Sequence, residues 1–289
     1  MTETDPLLQQ IFTQDIEIDL LLEGVFRKFG YDFRNYNKAH VKRRLIHRQQ
    51  ALGLSSISEL QHKALHEPDF IQLILKDLSI NVTEMYRDPG FYKSVRNEVF
   101  PILRTYPYIK IWHAGCATGE EVYSFAIMLK EEGLYNRAQI YATDFNPAVL
   151  ETAKKGIYPI SKIKDFTLNY QQACGKQSFS DYYIAKYDSA ILDPHLKQNV
   201  VFAEHNLVTD SVFAEVHLII CRNVLIYFNK NLQNTVVKLF SDSLVKGGFL
   251  GLGSKENLMF TEVYSHFEVV DAKEKIYKKR IHLHSAITH

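Results

Sequence analysis

Apolar positions change their rhythm near Tyr108. Before it they recur every three or four residues, as on one face of a helix; after it they come in short continuous runs. Val41, Leu45 and Leu52 keep helical spacing, while Arg44 and Arg48 fall four apart on another face. Gly53 ends that helix, and "SSISEL" offers a serine cap for the next. "EPDFIQLILKDLSI" predicts a further amphipathic helix with Pro68 in its first turn, and "RDPGFYKSVRNEVFPIL" a turn and then a helix. Past Tyr108, "IKIWHAG", "QIYATDF", "NVVFAEHNL", "HLIICRNVLIYF" and "GFLGLGS" each contain a β-rich run. Between them lie helical patterns: Val122, Phe125, Ala126 and Leu129 on one face, a helix opened by Asn146-Pro147, and "QNTVVKLFSDSLVKGG", closed by Gly247-Gly248.

This alternation predicts an α/β fold with a mostly parallel sheet wound on both faces. "FEVVD" and "KIYKKR", joined by Ala272-Lys273-Glu274, predict an antiparallel closing hairpin. Residues 177–200 break the alternation with short aromatic strands and an Asp-Pro turn, as in a small antiparallel β subdomain. The expected organisation is a helical domain over 1–85, a linker and connecting helix over 86–107, the α/β domain over 108–281 and a tail over 282–289.

Composition adds limits. At 289 residues, 46% hydrophobic and 23% charged, the chain has material for a real core. Its net charge of +1 gives no global case for nucleic acid or a membrane surface. No apolar run approaches the roughly 18 residues of a membrane span, and the acidic N-terminus lacks a signal-peptide layout. Three scattered cysteines that form no C-x-x-C argue against zinc; a reducing cytoplasm and a metal-free monomer are expected. Charge is uneven locally. Residues 1–23 carry acids and no Lys or Arg, whereas Arg27–Arg48 hold eight cations against Asp32 alone.

In a doubly wound sheet, ligands bind at the carboxyl ends of strands where the strand order reverses. The first β-run ends in Ala114-Gly115-Cys116-Ala117-Thr118-Gly119, where small residues admit close approach to the backbone. It lacks G-x-G-x-x-G spacing, which speaks against a dinucleotide and an NAD-dependent oxidoreductase. The second ends at Asp144, placed to accept from two ribose hydroxyls. The third ends at Asn206-Leu207, able to pair with and pack on an adenine, and the fourth at Arg222-Asn223. Each has a plainer reading: Asp144 as a helix cap, Arg222 as a sheet-end ion pair, His113 as a structural residue, and Cys116 and Cys221 as packing. Glu120 reads as favouring the positive end of its helix.

"NVTEMYRD", "CATGEEVYSFAIML", "IYATDFNPAVLETAKKGIYP" and "LIICRNVLIYFNKNLQ" resemble, in order and spacing, the signature blocks of the chemotaxis protein-glutamate O-methyltransferases, the CheR family. The resemblance spans about residues 20–280. It implies a class I S-adenosylmethionine-dependent methyltransferase domain, Rossmann-like, with an N-terminal helical domain and a small β subdomain. It implies S-adenosyl-L-methionine as cofactor and S-adenosyl-L-homocysteine as product. By the same resemblance, Asn81, Thr83 and Arg87 line the methionine and sulfonium end, with Gly115 in the loop and Glu121 on the amino group. Asp144 holds the ribose, Asn206 and Leu207 the adenine, and Arg222 and Asn223 complete the pocket. Arg87 and Tyr227 are the catalytic candidates, orienting an acceptor carboxylate.

The implied partner is the cytoplasmic domain of a methyl-accepting chemoreceptor, and Arg43, Arg44 and Arg48 would dock its acidic helices. A methyltransferase of another acceptor keeps the cofactor residues and changes the acceptor face. A non-catalytic S-adenosylmethionine-sensing module would bind without turnover. In some family members the β subdomain pairs with a receptor's C-terminal peptide.

Overall fold

A computed structural model describes residues 6–79 and 83–281. The chain divides into two compact units: Met1–Ile80 with Ile226–Leu232, and Asn81–Leu225 with Gln233–His289.

The first unit is helical: α1 (Pro6–Phe29), α2 (Lys38–Ala51), α3 (Ile57–His66) and α4 (Phe70–Leu78). Local chemistry sets their ends. The Asn37 side chain accepts from the N–H groups of Ala39 and His40, capping α2, and Ser56 does the same for α3 through Glu59 N–H. Pro68 is not inside α4 as expected. Asp69 turns the chain at a φ of 60°, and the helix starts only at Phe70. Leu21, Val25, Leu45, Leu60 and Ile74 close a shared apolar interior. Residues 226–232 join this unit through backbone bonds from Asn37 N–H to Tyr227 O (2.8 Å) and Asn229 N–H to Asn35 O (2.9 Å). Tyr36 packs edge-on against Phe228 with centroids 5.0 Å apart.

The second unit opens with α5 (Pro89–Ser94), a π-turn (Val95–Val99) and α6 (Phe100–Leu103). Its strands are β1 (Ile109–Ala114), β2 (Ala138–Asp144), β3 (Ile157–Pro159), β4 (Tyr183–Lys186), β5 (Ser189–Leu192), β6 (Val200–Glu204), β7 (Val216–Cys221), β8 (Leu244–Leu252), β9 (Phe267–Asp271) and β10 (Ile276–Lys279). Helices α7 (Glu120–Glu131), α8 (Pro147–Lys155), α9 (Ile163–Gln172) and α10 (Lys230–Ser243) connect them. The main sheet runs β6-β2-β1-β7-β8-β10-β9. The first five are parallel neighbours, and β10 is antiparallel to β8 and to β9. The hairpin turn is one residue longer than expected, with Lys275 at a φ of 58°.

β1 lies at the centre with helices over both faces, which is why its sequence is nearly continuously apolar. Trp112 points to one face and meets Phe240 at 5.4 Å; His113 points to the other and meets Phe125 at 4.8 Å. Gly247-Gly248 do not close α10. The helix stops at Ser243, and both glycines lie within β8, where its pairing with β7 shifts register between Val216 and Leu218. A Cβ on Gly248 would sit 3.0–3.1 Å from the carbonyls of Val245 and His217, so the bulge favours glycine there. A second, antiparallel sheet runs β3-β5-β4. It contains the expected β subdomain and adds β3 from outside residues 177–200.

Candidate functional site

The chain builds β1, β2 and β6 in one direction across the sheet, then returns to place β7 on the other side of β1. The loops leaving β1 and β7 therefore part at their carboxyl ends and leave a crevice. Gly115, Ala117 and Gly119 all have positive φ (76°, 48° and 89°). Gly115 and Cys116 N–H both donate to Thr143 O at 2.9 Å, tying the loop to β2. A Cβ on Gly115 would lie 2.6 Å from Val224 Cγ2, and one on Gly119 2.8 Å from Ala153 Cβ. The smallness read from the sequence is thus already required by the protein's own packing.

Asp144 ends β2 and is buried. Its Oδ2 accepts from Ala117 N–H at 2.9 Å and its Oδ1 from Asn146 N–H at 3.0 Å, so one carboxylate joins the loops after β1 and β2. Burial raises its pKa, and the backbone N–H bonds oppose that shift. Phe145 N–H also donates to this carboxylate, and the two oxygens together still leave a lone pair for a further donor.

Glu121 and Arg222 come together as an ion pair on the floor of the crevice. Arg222 Nη1 donates to Glu121 Oε2 at 3.0 Å and to Arg87 O at 3.1 Å, and Nη2 donates to Asp88 Oδ2 at 2.6 Å. The guanidinium lies 4.3 Å from the Phe91 ring centroid. His113 Nδ1 lies 3.1 Å from Glu121 Oε1. Burial alone would raise the Glu121 pKa, but the His113 hydrogen bond and the Arg222 charge outweigh it and hold the carboxyl below its ordinary range. Arg222 Nε and His113 Nε2 are buried with no hydrogen-bond partner among the described residues. Arg87 is flanked by two non-glycine residues of positive φ, Tyr86 (55°) and Asp88 (57°). Such geometry costs on the order of 1–3 kcal/mol per residue and persists only where surroundings enforce it. Here the Arg222 bonds to Arg87 O and Asp88 do so.

Asn206 turns its side-chain carbonyl onto Val208 N–H at 3.0 Å, in an Asx turn, and Leu207 is buried beside it. Thr83 is half-buried, and Asn81 lies outside the described residues. Asn223 has a φ of 61°, and its N–H donates to Glu256. Tyr227 belongs to the helical unit, its ring 6.0 Å from that of His40. In the same unit Arg48 grips Asp77 with two bonds of 2.6 and 2.8 Å, and Arg44 donates to Asp77 O at 2.7 Å, near the carboxyl end of α4. Arg43 is exposed.

Sequence reasoning missed one buried carboxylate and the burial of another. Glu120, read as favouring the positive end of its helix, is almost wholly buried. It accepts from the Thr118 hydroxyl at 2.6 Å and lies 3.5 Å from Lys162 Nζ. Glu256 is buried behind the β7 loop. The only trace of it in the sequence is its place just past the "GFLGLGS" strand end.

This strand order, with its antiparallel closing pair and its crevice between β1 and β7, defines a class I S-adenosylmethionine-dependent methyltransferase. The chain belongs to the CheR methyltransferase family: residues 81–276 match its SAM-binding domain and residues 16–79 its all-alpha domain. It is 50% identical over 265 residues to the Pseudomonas putida protein named "Putative methyltransferase Cher3", covering 92% of this chain and 97% of that one. It is 31% identical over 253 residues to a chemotaxis protein methyltransferase of Listeria innocua (85% and 92% covered). A chemotaxis protein methyltransferase of Salmonella typhimurium is 28% identical over 273 residues (87% of each). The cofactor is S-adenosylmethionine, and the site's chemistry fits it. Residues 115–121 offer no G-x-G-x-x-G phosphate cradle, and the carboxylate of Glu121 suits an ammonium group better than a pyrophosphate. No helix among the described residues is long and apolar enough to cross a membrane.

Proposed function

We propose that the protein methylates glutamate side chains on the cytoplasmic domain of a chemoreceptor, giving γ-glutamyl methyl esters. The observation that carries this reading is the turn at Arg87, whose backbone carbonyl is held by Arg222 between two residues of positive φ; the Arg87 side chain is assigned to the acceptor carboxylate. When bound, S-adenosylmethionine supplies an electrophilic methyl group, whose bond to sulfur breaks as the acceptor oxygen takes it. A glutamate with a reference pKa of about 4.3 is already ionised at neutral pH, so the protein need not remove a proton. Its tasks are orientation and exclusion of water. Asp144 is assigned to the ribose, Asn206 and Leu207 to the adenine, and Glu121, Thr83 and Asn81 to the methionine end. Gly115, Arg222 and Asn223 shape the crevice. Glu121 would meet the amino group through lone pairs left over from His113 and Arg222. Tyr227 is the second candidate for orienting the acceptor.

Incubation with methyl-labelled cofactor and receptor cytoplasmic fragments tests this. Base-labile label on glutamate is expected, and Arg87→Ala should abolish it while the fold persists. Base-stable label, label on RNA, or near-normal turnover by Arg87→Ala would defeat the respective assignment.

A further inference from the structure

We infer that Glu256 is a positioning residue for the cofactor crevice, clamping the turn that follows β7 and through it the loop that follows β1. β7 and β8 are parallel neighbours whose pairing ends at Cys221 opposite Leu252. Beyond that point the backbone N–H groups of both chains lose their ladder partners and must find others. Glu256 supplies them. Its Oε2 accepts from Asn223 N–H at 3.0 Å and Gly253 N–H at 2.6 Å, and its Oε1 accepts from Val224 N–H at 2.8 Å. Its own N–H closes the turn onto Gly253 O at 2.9 Å. One buried carboxylate thus holds three donors from two strand ends in charge-assisted bonds.

The clamp fixes more than itself. Asn223 is kept at its positive φ, a conformation asparagine tolerates better than most residues. Gly253 has no room to grow, since a Cβ there would lie 2.8 Å from both Asn223 N and Glu256 Oε2. Val224, whose N–H Glu256 holds, places its side chain against Gly115. Force on the β8 loop is therefore passed to both walls of the crevice. A glutamine at 256 keeps the shape but presents an NH2 to a backbone donor, so one of the two oxygen positions fails.

The inference rests on S-adenosylmethionine lying at the β1/β7 crevice. The test is calorimetric binding of S-adenosylhomocysteine to the full chain, with melting temperatures and steady-state kinetics alongside. Glu256→Gln is expected to weaken binding about tenfold, the scale of one lost charge-assisted bond, and to raise the cofactor KM with the acceptor KM unchanged. Val224→Ala, which spares the clamp but withdraws its contact with Gly115, should weaken binding by a smaller factor. It remains informative if the first variant fails to fold. Ile109→Ala, at the far end of β1, should lower the melting temperature without changing affinity. Unchanged affinity in both crevice variants, or an equal loss in Ile109→Ala, would overturn the inference. A wild-type protein that binds no S-adenosylhomocysteine would defeat the cofactor placement itself, and the clamp with it.

Discussion

Glu120 is only 1% exposed, and burial pushes its carboxyl above the ordinary value of 4.5. The folded protein therefore holds that proton more tightly than the unfolded chain does. Stability falls as pH rises from 4.5 through the raised folded value, and above that value the whole penalty is present. Glu120→Gln keeps the acceptor for Thr118 and removes the buried charge. It should melt higher than wild type at pH 7, with the difference vanishing below about pH 4, where both side chains are neutral; a gain that persists in acid would contradict this. Glu121, one residue on, is driven the opposite way by His113 and Arg222. Their adjacency was plain in the sequence, but their divergence was not. It depends on the burial of Glu120, which outweighs the opposing charge of Lys162, and on Arg222, which lies 101 residues from Glu121 in the chain. Glu256 was hidden for the same reason: two of its three donors are backbone groups of a turn more than 30 residues earlier.

At the scale of elements, what was legible followed from local rules. The cap at Ser56, the apolar β1 and the acid ending β2 can each be argued from a few neighbouring residues. What was not legible needed a partner. Gly247-Gly248 look like a helix stop until β7 is laid alongside and a bulge is required. β3 is three residues long and becomes a strand only by pairing with β5. The basic face of α2 changes meaning in the same way. Lys38 and Lys42 pair with Asp19 and Asp15 of α1, and Arg48 pairs with Asp77. Arg48→Ala should thus cost about 1 kcal/mol of unfolding free energy in urea, the upper range for a partly exposed bidentate pair. A charge reversal at Arg48 would lower receptor methylation through the fold, whatever that residue's part in docking.

For the whole molecule, a net charge of +1 conceals this internal cancellation between an acidic α1 and a basic α2. Arg43, exposed and outside these pairs, is the cleaner probe of an acidic partner. Arg43→Glu should slow methylation of receptor fragments at low ionic strength and converge on wild type as salt rises, with S-adenosylhomocysteine affinity and melting temperature unchanged. A salt-independent loss would remove docking by this face. The helical unit is also not one continuous stretch of chain, since residues 226–232 supply the backbone partners of Asn35 and Asn37. A gene fragment ending after α4 would encode the helices without the segment that satisfies their first loop. Recombination that trades this unit between relatives at a single breakpoint would leave it mismatched with its own closing segment. Inheritance should therefore couple changes around Tyr36 to changes around Phe228.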